Sequence, residues 1–181
     1  TLDIDRVDLR TDIAVGRVPA SSAAEVETYV NKVIAYELNA YRSAWVDRAL
    51  LVATTDWVAS GCSTHEAVAA QALAKHNITR LYASGNPCQA TQLPSPATVL
   101  QAINQGTGFV SYIGHSTVQQ WGSTSRRIND QVLMNSLDNG PCLPVFLGLT
   151  CLEGGFHEPE LLALAEYSVA RASDAAVASW S

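Results

Sequence analysis

Two short stretches hold the residue types best suited to covalent chemistry. GFVSYIGHST carries His115 just past one apolar run, and PVFLGLTCLEGG carries Cys151 just past another. A thiol attacks a carbonyl carbon only as thiolate, so an imidazole within reach must take its proton and later return it to the leaving amine. The oxyanion that forms needs preorganised donors, commonly backbone N–H groups. Gly114 precedes His115, and Gly154 and Gly155 follow Cys151, so both turns can be tight and open to a substrate. Singly, a cysteine reads as a small core hydrophobe and a histidine as a satisfied surface or core group. Paired at two strand ends, they point to acyl transfer, with Cys151 as nucleophile, His115 as base and the amides of Cys151 and Ser116 as oxyanion donors.

The elements that must position this pair follow from the apolar pattern. Phe109 to Ile113 and Leu143 to Leu149 are short uninterrupted apolar runs bounded by turn residues, the signature of interior strands covered on both faces. Ligands of open parallel sheets bind at the carboxyl ends of the strands, which is where both residues fall. Further strands are expected at residues 12–19, 48–55, 78–84 and 175–180. Helices are expected from about Ser22 to Tyr41, with Val26, Val30, Val33, Ile34 and Leu38 as the core-facing stripe, and over 65–76, 96–105, 129–137 and 159–172. Alternating strands and helices imply right-handed crossovers, a mainly parallel sheet and a three-layer α/β sandwich. His65 and His157 read as cap or surface groups.

Composition narrows the classes. The 181 residues are 48% hydrophobic and 15% charged, which fits one globular unit over 1–181. The net charge of -6, with scattered Lys and Arg, offers no footprint for nucleic acid or an anionic membrane, and no apolar run approaches the ~20 residues of a bilayer span. The four cysteines (Cys62, Cys88, Cys142 and Cys151) lack CxxC spacing, so a zinc site is unsupported. Cys62 and Cys88 lie in loops after neighbouring strands and could pair if the protein is secreted. Cys142 precedes its strand, at the sheet edge opposite Cys151.

The segments DIAVGRVP, YIGHSTVQQWG and LTCLEGGF, in this order, resemble the gingipain-type cysteine peptidases of the caspase-like fold group. The resemblance spans nearly the whole chain. It implies a caspase-like catalytic subdomain, a Cys151–His115 dyad, and an acid at the end of the first central strand that orients the histidine, on or near Asp56. It also implies a protein or peptide substrate, contacted around Gly114, Thr117, Glu153 and Trp180. Secretion or cell-surface location, and a longer polypeptide flanking this piece, are implied as well. No cofactor is required by such a dyad, and a structural calcium is compatible with the family but not legible here. Two departures stand out. Ser116 follows the histidine where glycine is common, and SGCST carries Cys62 where Arg-cleaving members carry an acid, so Arg specificity is not carried over. Transpeptidation by the same thioester chemistry and a catalytically degenerate α/β binding module are the alternative readings.

Overall fold

A computed structural model describes residues 13–54, 61–85, 87–123, 126–158 and 160–181. Numbered in chain order, the elements are α1 (Ala23–Asn39), β1 (Arg48–Ala53), α2 (Gly61–Gln71), β2 (Asn77–Tyr82), α3 (Pro96–Asn104) and β3 (Phe109–Ile113). There follow β4 (Ser116–Thr117), β5 (Gln120–Ser123), β6 (Arg126–Asp130), α4 (Gln131–Met134), β7 (Val145–Leu149), α5 (Leu164–Ala170) and β8 (Ala178–Trp180). The central sheet has the order β2-β1-β3-β7-β8, and every neighbouring pair in it is parallel. This is the expected α/β architecture. No described helix is long and apolar enough to cross a membrane.

Strand alternation divides the core into two layers. Leu50, Val52, Val110, Tyr112 and Phe146 face one side, where they pack with Val99 and Ile103 of α3, Met134 of α4 and Leu164 of α5. Ala49, Leu51 and Ala53 face the other, under Cys62 and Ala69 of α2. The Cys62–Cys88 disulfide, left open by the sequence, is formed and ties α2 to the loop after β2.

Capping chemistry sets several helix starts. Ser22 Oγ accepts the Glu25 N–H at 3.3 Å while Glu25 reaches back to the Ser21 N–H. Ser95 and Thr98 form the reciprocal box that opens α3.

The structure departs from the sequence expectations in four places. Residues 13–20 form no strand; Arg17 pairs with Glu166 and lies 4.5 Å over the Phe156 ring. On α1, Val26, Val30, Ile34 and Leu38 are exposed and Val33 is half-buried, so the apolar stripe is not the packed face. The buried residue of that helix is Lys32, whose Nζ donates to the carbonyls of Val169, Arg171 and Asp174 at 2.8–3.1 Å. Val169 and Arg171 close the C-terminal end of α5, where a cation suits the helix carbonyls, and Asp174 follows in the next turn of chain. Residues 126–130, the approach to an expected helix, instead complete an antiparallel sheet of order β4-β5-β6 that buries Trp121 and Ile128 against the core. Finally, α5 spans only Leu164–Ala170, since residues 160–163 form a turn and irregular backbone and the chain leaves the helix after Ala170.

Candidate active site

Register brings the two reactive residues to one sheet edge. β3 and β7 are adjacent, with Ile113 opposite Leu149, and His115 and Cys151 each lie two residues beyond that pair. Neighbouring strands are about 4.8 Å apart, so the two residues follow adjacent strands at the same offset. Cys151 is exposed and outside any disulfide, whereas His115 is half-buried. Cys142, the other free thiol, precedes β7 at the opposite edge.

The histidine turn is fixed from below. Its carbonyl accepts the Tyr112 hydroxyl at 2.7 Å and the Gly122 N–H at 2.8 Å. The Tyr112 ring stacks on Trp121 with centroids 4.8 Å apart, and Trp121 in turn meets Phe146 at 5.7 Å. Gly114 is buried rather than presented to a substrate. A Cβ there would lie 2.3 Å from Thr54 Oγ1 and 2.4 Å from the Tyr112 hydroxyl, so the turn requires glycine.

Ser116 opens β4 opposite Trp121. The Gly122 to His115 bond makes those two the hydrogen-bonded pair of the ladder, and pairs alternate, so the Ser116 N–H points away from β5. The Ser116 hydroxyl has its own task, accepting the Leu152 N–H at 3.0 Å and tying the histidine turn to the cysteine turn. Thr117 is half-buried in β4 and its Oγ1 accepts the Gln119 N–H at 3.3 Å.

Glu153 departs most from expectation. It is only 2% exposed, and its Oε2 accepts the Trp121 indole N–H, so it offers no carboxylate to a substrate groove. Its Oε1 is buried with no hydrogen-bond partner among the described residues, and it fills the space that Gly148 leaves open, where a Cβ would sit 1.5 Å away. Burial pushes this carboxyl up to about 7, with the indole bond opposing the shift. The sequence signal for this contact is indirect. A tryptophan in a buried turn needs an acceptor for its N–H, and the nearest acid to the opposite turn is Glu153.

Trp180 is exposed at the outer strand β8. With Gly154, Phe156, Val169 and residues 13–17 it lines a groove of about 830 Å3 that adjoins the cysteine turn but contains neither the thiol nor the imidazole. Asp56, the expected third member, lies outside the described residues. His65 is buried within α2, not a surface cap, because that helix begins at Gly61 and turns the ring onto Ser111 of β3. His157 is exposed and lies 3.5 Å from Glu158. Among the described residues no group of three or more His, Cys, Asp or Glu comes together as a metal site.

Comparison with known proteins agrees with this arrangement. The chain is 24% identical over 155 residues to gingipain R2 and to gingipain R1 of Porphyromonas gingivalis. In each case 82% of the chain is aligned, but only 20% and 15% of the relative, so the chain spans a fifth or less of these proteins. The crystal structure of the Arg-specific cysteine proteinase gingipain R superposes with a TM-score of 0.71 at 24% identity, covering 88% of this chain and 37% of that one. The complex of the RgpB pro- and mature domains of Porphyromonas gingivalis superposes with a TM-score of 0.72 at 22% identity, covering 91% and 38%. The profile of peptidase family C25 matches residues 1–181 from end to end, and the chain belongs to that family.

Proposed function

We propose that the chain is the catalytic part of a cysteine endopeptidase working through Cys151 and His115. The observation that carries this reading is the β3–β7 register, which gives thiol and imidazole the same offset at one sheet edge. His115 takes the thiol proton as sulfur attacks the scissile carbonyl carbon. The carbonyl electrons move to oxygen, and the amides of Cys151 and Ser116 hold the oxyanion. On collapse the C–N bond breaks, the imidazolium returns its proton to the leaving amine, and a thioester remains on Cys151. Water, activated by His115, then releases the acid and frees the thiol. These steps call for no cofactor.

The substrate class is a protein or peptide segment passing the exposed thiol, with Thr117 and Trp180 on its flanks and Asp56 orienting the imidazole. The Cys62–Cys88 disulfide supports an oxidising, extracellular setting. Transpeptidation would share every step but the last, an amine replacing water.

The test is hydrolysis of a peptide library by the full-length polypeptide. Cys151→Ala and His115→Ala are each expected to lower kcat/KM by about 10³-fold or more while leaving the circular dichroism spectrum unchanged. Undiminished hydrolysis by Cys151→Ala would remove the assignment.

A further inference from the structure

The Glu153 carboxyl is an expensive way to satisfy the buried Trp121 indole N–H. A buried carboxyl with one neutral donor and, among the described residues, one unpartnered oxygen costs stability, whereas a neutral amide of similar size could accept the same indole N–H without burying a carboxyl. Two further contacts make room for it and fix it. Gly148 of β7 lacks the Cβ that would collide with Oε1, and the Glu153 carbonyl accepts the Ala165 N–H of α5 at 3.0 Å. The partner is equally constrained. Trp121 faces Ser116 across the β4–β5 ladder and stacks on the same Tyr112 whose hydroxyl holds the His115 carbonyl.

We propose that Glu153 is a positioning residue for the reaction: through the Trp121 indole, its buried carboxyl locks the turn carrying Cys151 to the hairpin that follows His115. Two bonds then join the turns, Glu153 to Trp121 and Ser116 to Leu152, one buried and one exposed. With both in place the thiol and imidazole keep one relative placement through attack and collapse. Without the buried bond, the cysteine turn keeps its edge contact with Ser116 and its bond to α5 but loses its tie to Trp121. A displacement of about 1 Å between reacting groups costs on the order of 10²-fold in rate.

This inference rests on the proposed dyad, and the experiment separates the two. In the full-length polypeptide, kcat and KM for a cleaved peptide are measured for the wild type and for Glu153→Ala, Trp121→Phe, their double variant and Glu153→Gln. Thermal unfolding is followed in parallel. Glu153→Ala and Trp121→Phe are each expected to lower kcat by about 10²-fold with little change in KM. The double variant should be no worse than either single, because both remove one bond. Glu153→Gln keeps a carbonyl acceptor for the indole and should restore most of the lost kcat, which a loss of packing alone would not predict.

If Glu153→Ala does not fold, Trp121→Phe carries the same comparison with its ring volume nearly kept. Unchanged kcat in whichever of these variants folds, a defect confined to KM, or a Glu153→Gln as impaired as Glu153→Ala would overturn the positioning role. Cys151→Ala serves as the control for the dyad. If it keeps activity, the proposed function fails; if it is dead while Glu153→Ala is fully active, only the present inference fails.

Discussion

Burial displaces several ionisable side chains, and two of them, His65 and Glu153, act oppositely on stability. His65 is 1% exposed, stacked near Tyr82 and bonded to Ser111 Oγ at 3.0 Å; desolvation lowers its pKa to about 4, against a smaller raising effect from Glu66. Between its ordinary 6.5 and about 4 the unfolded chain binds a proton that the folded one refuses, so stability falls as pH falls through that window. For Glu153 the folded carboxyl holds its proton from 4.5 up to about 7 while the unfolded one releases it, so stability falls as pH rises. Each effect amounts to about 3 kcal/mol, and they oppose one another where the windows overlap. Relative to wild type, His65→Gln should lose the gain in stability on going from pH 4 to 6.5, and Glu153→Gln should lose the decline from 4.5 to 7. Denaturant titrations across these ranges check both, and variants that parallel the wild-type curve would contradict the assignment. Neither side chain was legible as buried. In sequence, His65 stands beside Thr64 and Glu66 like a cap, and Glu153 sits among glycines like a substrate contact. Only the helix start at Gly61 and the gap at Gly148 turn them inward.

At the scale of elements, what the sequence revealed and what it hid follow from how each element is buried. β3 was readable to the residue because both its faces are covered and it is apolar but for Ser111; β7 was readable from its apolar run, though Leu149 is exposed and Leu143 and Pro144 lead into it rather than belong to it. The β4-β5-β6 sheet was not, because its strands are two to five residues long and mix polar with aromatic residues, which mutes the period-2 signal. The stripe on α1 was misread since periodicity reports one apolar face but not what covers it, and a lysine bound to three carbonyls takes the inner position. The disulfide was compatible with the sequence but depended on compartment. It closes a separation of 26 residues between α2 and the loop after β2, and Cys62 is fully buried. Replacing both cysteines by alanine is expected to lower unfolding free energy by about 3 kcal/mol in denaturant titration. A loss below ~0.5 kcal/mol would mean that the bridge does not constrain the unfolded chain, or is not formed.

For the molecule as a whole, the sheet order accounts for how residues far apart in sequence share one site. β3 and β7 are neighbours although β4, β5, β6 and α4 intervene, so the insertion stands over the face of the sheet and supplies Trp121 beneath the histidine turn. The family was legible from the strand–His and strand–Cys segments; the buried tie between the turns was not, because no local pattern links Trp121 to Glu153. The groove beside β8 and residues 13–17 gives an extended ligand room next to the cysteine turn.

The central claim is that the thiol and imidazole share a proton across adjacent strands, and the rate of Cys151 alkylation tests it most directly. With a neutral electrophile near pH 6, the account predicts modification of Cys151 faster than free cysteine, sparing Cys142, and a fall to the free-cysteine rate in His115→Ala. A Cys151 that reacts no faster than free cysteine, at a rate indifferent to His115, would contradict it.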